Sequence, residues 1–538
     1  MASPQNQPLM LSKAPTTTRI KLGQFSEPSE QDAGHQQTSS NTAYHSGCFP
    51  VRICNVPGRG RGYFAARSIA KGETVLRAAP LAWAISEDWI KNTCWWCFVY
   101  DPRKTHQVKA VEGPAALLAS APNHNQNKKT SSSQFAQYKG VFCSPICQQK
   151  AVLAHGGPDR WKCYLALLGA IESEVRATKS KQGRAVSKTT SEHTQISSKD
   201  TIQYVAVADT NISTFSAPAA ATPKVACMSD FSRDIDFDPD DMSDEQLSDW
   251  ISYVWDIITV HSLFQNNLPD SSQRELVRLI CNALFLQDNA TTTEPTSYSD
   301  SWQILVVSRD ATEDNAMPLH ALAHVRNNEV DFLRAKLHQL QLETLQTPAT
   351  VAPIRLPLQP TPTQIEQSHW GAAAFKTAAS AYALLEKAWK HTSKSQDNAL
   401  CHFSHEQFRS VYFREMANSF GIWEVTEDDI GQQPQAQLKS AESEWLGFSI
   451  YPTAVYFNHS CAPNIRKVRT ARMMSFISCR DIEQGEELFI TYGSVAEAAP
   501  LRRSRLQQNF FFECVCDRCL AETSQCQILA LNTLDLLN

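Results

Sequence analysis

The stretch "YFNHSCAPN", Tyr456 to Asn464, sets an amide, an imidazole, a hydroxyl and a thiol side by side, then closes on Pro463 and a second amide, Asn464. Four adjacent polar side chains do not make ordinary core, because each would need a buried partner. The run is therefore a candidate site. Around it, "LGFSIYPTAVYFNHS", "MMSFISCRDI" and "ELFITYG" are strand-like segments separated by Gly, Pro and Asn turns.

The same texture occurs far upstream. "VRICNVPGRGRGYFAARSIAKGETVLRAAPLAWAI" (Val51 to Ile85) carries β-prone runs punctuated by Gly58, Gly60, Gly62 and Gly72. Between these ends the period changes. "LSDWISYVWDIITVHSLF", "RELVRLICNALFLQ", "NNEVDFLRAKLHQLQLETLQ", "AAAFKTAASAYALLEKAWK" and "HEQFRSVYFREMANSF" repeat apolar residues at helical spacing, interrupted by the Pro-rich "TPATVAPIRLPLQPTPTQ". The fold class is α+β: a sheet built from both ends of the chain, with helices inserted between them. No internal repeat of fixed period stands out.

Residues 1–47, rich in Ser, Thr, Gln and Pro, cannot bury enough apolar surface to offset the entropy of ordering and read as a disordered tail. A polar stretch from Ala177 to Asp230 reads as a linker or surface insertion. The 538 residues carry 50 Lys+Arg against 55 Asp+Glu, a net charge of −5, so there is no global basic field and no direct nucleic-acid binding is expected. The amino terminus lacks a signal-peptide core and no segment approaches about 18 consecutive apolar residues. These features imply an intracellular protein, nuclear, cytoplasmic or both, away from membranes.

Sixteen cysteines in a reducing compartment read as metal ligands where they cluster. "FFFECVCDRCL" supplies Cys514, Cys516 and Cys519, three ligands of a tetrahedral structural zinc, and Cys461 of the opening stretch is the natural fourth. "CWWC" (Cys94, Cys97) with "FCSPIC" (Cys143, Cys147) makes a second four-thiolate zinc site. His155 and Cys163 would be half of a third site and read better as unliganded.

In order along the chain, "GRGYFA" (Gly60 to Ala65), "GE" (Gly72, Glu73), "NHSCAPN", "GEELFITYG" (Gly485 to Gly493) and "CVCDRC" (Cys514 to Cys519) resemble a SET-domain lysine methyltransferase. The upstream "C-x-x-C" and "FCSPIC-Q" resemble a MYND finger without its middle cysteine pair, so the closest family is the SET-and-MYND type. The resemblance implies a SET-type β fold of short strands, split by a zinc finger and a helical insertion, with a zinc-binding post-SET tail. It divides the chain into a tail (1–47), the first SET part (48–92), the finger (93–165), a polar insertion (166–242) and a helical insertion (243–403). The catalytic SET part (404–495), the post-SET motif (496–522) and a terminal tail (523–538) follow.

By the same resemblance, S-adenosylmethionine is held by Asn458, His459, Asn418 and the turn Arg59, Gly60, Arg61 and Gly62, whose glycines permit close backbone approach. Asn282, in "LICNALF", is the rival to Asn418. Phe512 covers the adenine or walls a lysine channel. Tyr492 is the catalytic residue, its hydroxyl orienting the methyl group and the lysine nitrogen. The substrate is a histone or non-histone protein, methylated by a monomer. The other reading is a non-catalytic SET and zinc scaffold that recruits protein partners. The basic run "RKVR" (Arg466 to Arg469) reads as a solvated strand end, with the guidance of an acidic substrate segment as its other use.

Overall fold

The computed structural model describes residues 49–106, 108–109, 140–187, 236–285, 322, 325–345, 354–395, 403–424 and 444–524. The tail read at 1–47 and most of the polar stretch at 177–230 lie outside them; the part of that stretch up to Ser187 continues a helix. Among the described residues no helix is long and apolar enough to cross a membrane.

Four strands open the fold: β1 (Val51–Val56), β2 (Gly60–Ala65), β3 (Thr74–Ala78) and β4 (Ala82–Ile85). Gly58 and Gly60, at φ of 72° and 77°, take the β1–β2 turn through left-handed backbone that other residues enter at a cost. Two short strands, β5 (Val108–Lys109) and β6 (Val141–Phe142), pair beside α1 (Pro145–Ala154) and the long α2 (Pro158–Ser187).

Among the described residues the middle of the chain is mainly helical, with one short strand pair, β7 (Asp236–Phe237) with β8 (Leu356–Pro357). Its longer helices are α3 (Asp244–Val260), α4 (Ser271–Phe285), α5 (Glu329–Leu345), α6 (Thr377–Ser395) and α7 (His405–Glu415). Ser243 with Gln246 and Ser404 with Gln407 form reciprocal capping boxes that start α3 and α7. The helical reading of "HEQFRSVYFREMANSF" holds only to Glu415. Met416 leaves helical backbone at ψ of 129° and Ala417 follows at φ of 63°, a turn that ends the helix, and the chain continues as β9 (Ser419–Trp423).

After β9 come β10 (Trp445–Ile450), β11 (Asn458–His459), β12 (Ile465–Thr470), β13 (Met473–Ser478), β14 (Phe489–Ile490) and α8 (Ala499–Phe510). Two antiparallel sheets, ordered β4-β10-β9 and β12-β13-β3, join residues some 400 positions apart. The sheet is therefore built from both ends of the chain. The parallel pair β11-β14 aligns Asn458 with Phe489 and His459 with Ile490, bringing the opening stretch beside "ELFITYG".

A duplication escaped the sequence reading. "RSIAKGE" (Arg67 to Glu73) and "RDIEQGE" (Arg480 to Glu486) form the same turn twice, with Gly72 at φ of 84° and Gly485 at 85°. Each turn is closed by its own ion pair, Arg67 with Glu73 and Arg480 with Glu486. Ile69 and Ile482 exchange backbone hydrogen bonds of 2.9 Å, so the copies clasp one another. The second copy delivers the chain directly into Glu487.

Candidate functional site

The side chains of Asn458, His459, Ser460, Cys461 and Asn464 all have hydrogen-bond partners. The Asn458 amide donates to Glu487 Oε1 at 2.8 Å, and the Ser460 hydroxyl accepts from Ala462 N–H at 3.1 Å. Asn464 donates to the Glu487 carbonyl at 2.9 Å and to Glu486, while its own oxygen accepts from Phe489 N–H at 2.7 Å. That second amide ties β14 to the stretch. Burial, with the charges of Arg505, Lys467 and Arg502, pushes the His459 imidazole down to about 4 against the opposing pull of Cys516. The ring is neutral at ordinary pH. Its Nδ1 accepts from Tyr492 N–H at 3.1 Å, which leaves Nε2–H to donate to Cys461 Sγ at 3.3 Å.

Tyr492 stands on the far side of this imidazole. Its hydroxyl donates to the Phe457 carbonyl at 2.7 Å, and burial, reinforced by the Glu487 charge, pushes its pKa well up. The hydroxyl stays protonated at ordinary pH, so it could orient a neighbouring group but not serve as a base. Phe510 lies 4.9 Å from the Tyr492 ring and Phe512 6.1 Å, edge on; Phe512 is 6.0 Å from His459. Tyr492, His459 and Phe512 thus converge on one place.

Glu487, unassigned in the sequence reading, links the upstream turn to this place. Its side chain is 10% exposed and pairs with Arg59 at 2.7 Å through one oxygen, holding Asn458 with the other. Arg61 lies over the Tyr456 ring at 4.8 Å. A Cβ at Gly62 would stand 2.7 Å from Asn458 Nδ2 and 3.0 Å from Glu487 Oε1, so only glycine fits that contact. At Gly60 an added Cβ would meet no atom within 4 Å, and the turn borders open space. The signal for Glu487 was present in "GEEL", where a second carboxylate follows the turn-closing Glu486.

The two rival asparagines are far apart in character. Asn282 is fully buried on α4, accepting from Trp83 N–H at 3.2 Å and donating toward Tyr164 and His155. Core contacts take up its side chain. Asn418 is half-buried at the start of β9 and donates to the carbonyls of Arg414, Met416 and Arg326. No hydrogen bond joins Asn418 to Asn458, His459 or Tyr492 among the described residues.

Two groups of described residues gather four sulfur atoms within 4.8 Å of one another: Cys461, Cys514, Cys516 and Cys519, and Cys94, Cys97, Cys143 and Cys147. Tetrahedral coordination at about 2.3 Å would set sulfurs about 3.8 Å apart. In the first group Cys461 lies 3.9 Å from Cys514 and 3.5 Å from Cys519; in the second Cys143 lies 3.6 Å from Cys97 and 3.5 Å from Cys147. Four thiols this close cannot all ionise unaided: the neighbouring sulfurs drive Cys461 up and hold Cys516 down. Both groups fit a cation that soft ligands prefer. Arg502, 1% exposed, donates to Cys519 Sγ at 3.6 Å, and Arg518 donates to the Cys461 carbonyl at 3.2 Å.

His155 belongs to neither group. It is fully buried, Nδ1 lies 2.6 Å from the Ala151 carbonyl, and Trp95, Trp161 and Tyr164 enclose the ring. Cys163 is buried nearby in the core.

The model of the SET domain family matches residues 60–493 of this chain. Among similar proteins, a "Potential protein lysine methyltransferase SET6" of Saccharomyces cerevisiae is 36% identical over 115 residues, 21% of this chain and 28% of that protein. A SET and MYND domain-containing protein of Dictyostelium discoideum is 31% identical over 119 residues, covering 22% and 27%. The human "Histone-lysine N-methyltransferase SMYD3" is 36% identical over 90 residues, covering 17% and 21%. The matched stretches span less than a third of each of these relatives.

Proposed function

The chain belongs to the SET-domain family and is similar to its SET-and-MYND members, and on that premise we propose that it is an S-adenosylmethionine-dependent protein-lysine N-methyltransferase. The observation that carries this reading is the convergence of Tyr492, His459 and Phe512 beside Cys461, with Asn458, Glu487 and Arg59 linked in one chain of hydrogen bonds. A structural core has no need of a hydroxyl held protonated among aromatic rings at the edge of a metal-capable cluster.

On this reading Asn458, the backbone around His459, Asn418 and the open turn Arg59 to Gly62 hold the cofactor, and Glu487 fixes Asn458 and Arg59 for that purpose. S-adenosylmethionine held there would supply an electrophilic methyl group, and the neutral lysine amine that accepts it would release its proton to solvent. Tyr492 aligns the amine through its hydroxyl, and the carbonyl of Phe457 fixes the direction of that hydroxyl. Phe510 and Phe512 exclude water. Apolar walls favour the neutral amine, so a strong base is not required.

Zinc is the metal that four thiolates at this spacing select best. Cys461, Cys514, Cys516 and Cys519 would hold zinc, which would tie the segment carrying Phe512 against Tyr492. At Cys94, Cys97, Cys143 and Cys147 it would close the finger. None of the twelve described cysteines is joined in a disulfide, which suits a reducing intracellular compartment. The substrate is a protein, histone or otherwise.

The test is transfer of labelled methyl from S-adenosylmethionine to core histones and to proteins of a cell extract. Label on lysine in discrete proteins supports the reading. Zinc-replete protein that binds the cofactor and labels nothing, or that binds no cofactor, contradicts it and favours the scaffold.

A further inference from the structure

The strand β12 turns two cations inward. Ile465, Lys467 and Arg469 share one face of it, since side chains alternate along a strand, and Ile465 is fully buried. Lys467 Nζ donates to the Thr491 carbonyl at 2.8 Å, one residue before Tyr492, and lies 5.6 Å from the Phe420 ring centre. Arg469 donates to the carbonyls of Trp423 at 2.5 Å and Ala471 at 2.6 Å. Phe420 and Trp423 are on β9. Strands β9 and β12 are the outer members of separate sheets, and these two side chains span the space between them.

Among the described residues no carboxylate bonds to or pairs with Lys467 or Arg469. Both are half-buried, and both have their pKa values lowered by burial, Lys467 to about 8. Lys467 is held by a carbonyl and a ring face, and Arg469 by two carbonyls, with Tyr451 and Cys97 pulling against its burial. Neither has a carboxylate partner among the described residues, and a carboxylate entering from outside would offset the cost of withdrawing them from water. The spare acceptor these cations lack is the one chemistry an arriving peptide can bring.

We propose that Lys467 and Arg469 form a carboxylate-reading site beside Tyr492, so that this chain selects target lysines with an acidic neighbour. This rests on the methyl-transfer reading above and adds its substrate class: an acidic peptide segment is drawn in, and a segment with Lys or Arg at that position is repelled. The cation nearest Tyr492 sets the preference, and Arg469 extends it toward the Trp423 end of β9.

The test uses full-length protein and peptides with one central lysine, flanked at each position in turn by Glu, Gln or Lys. Methyl transfer gives kcat/KM. Fluorescence anisotropy gives the binding of the same peptides carrying norleucine in place of the target lysine. Wild type is expected to favour Glu over Gln about tenfold at one or more positions, the value of a charge-assisted hydrogen bond. Lys467→Met should remove that preference, and Lys467→Glu should turn it toward the Lys-flanked peptide. A merely structural lysine would lower transfer to all peptides alike.

No charge preference in wild type, or a preference that survives Lys467→Met, overturns the proposal. Charge-dependent binding without transfer upholds it and overturns the methyl-transfer reading; transfer without charge preference does the reverse. The sequence after β9 carries Glu427, Asp428 and Asp429. If the Glu preference appears only when these are changed to Gln, Asn and Asn, the chain's own acidic segment occupies the site, and the substrate assignment falls.

Discussion

The two cysteine groups offer the same four thiols and are set into the molecule differently. In the carboxyl-terminal group Cys461, Cys514 and Cys519 are buried, and Cys461 also meets the imidazole that supports Tyr492. In the finger only Cys94 is buried and Cys143 is exposed. The finger is attached through aromatic packing: Trp83 of β4 donates to the Trp95 carbonyl at 2.8 Å, and the Arg472 guanidinium lies 3.6 Å from the Trp96 ring and 4.7 Å from that of Trp83. A metal in the first group would organise the candidate site, whereas a metal in the second would pin an insertion to the sheet. Spacing alone makes the two look equivalent; their neighbours separate them.

The largest effect that would sharpen this contrast is expected from Cys516→Ser. One metal equivalent should be lost by elemental analysis, with methyl transfer down about 100-fold or more, because metal binding at such a group contributes on the order of 10 kcal/mol to local folding. Tyr492→Phe should cost transfer about 100-fold, a typical loss for one aligned donor, while zinc content and thermal stability stay near wild type. Equal loss of folding in both variants would break the distinction between metal and hydroxyl.

Glu487→Gln keeps the shape of the link between Arg59 and Asn458 but removes its charge. Cofactor affinity by calorimetry should fall about tenfold, with metal content unchanged. The smallest effect is expected at Glu415, half-buried at the end of α7, where burial raises the carboxyl from 4.5 to about 7 against a hydrogen bond from Ser419. A raised folded-state pKa means that the native chain holds this proton while the unfolded chain releases it. Glu415 therefore contributes stability that is fully present below pH 4.5 and lost as pH rises to about 7. Glu415→Gln should flatten the denaturation midpoint across that window, and an unchanged slope would contradict the assignment.

Much of this was legible in the sequence because chemistry and spacing coincide there. "NHSC" marked a candidate site by crowding polar groups, and the cysteine spacings named both four-sulfur groups, including the distant Cys461. The paired sheets at the two ends followed from period and turn residues. What escaped depended on long-range contact. The twin turns at Arg67 to Glu73 and Arg480 to Glu486 lie more than 400 residues apart, so no fixed period reveals them. The strand at Ser419 was hidden in a helical phrase, because the left-handed Ala417 in the turn that ends the helix is not a glycine. "RKVR" read as a solvated strand end, yet Lys467 and Arg469 turn inward onto β9, since the sequence cannot say which face of an outer strand meets another sheet.

The most direct test of the account is graded removal of metal by chelator, following zinc per chain and methyl transfer together, with Cys143→Ser protein as the reference that carries only the carboxyl-terminal metal. The account predicts that the first equivalent, from the exposed finger, leaves with transfer largely retained, and that transfer disappears in step with the second. Loss of transfer with the finger metal alone, or full transfer after both metals are gone, would contradict it.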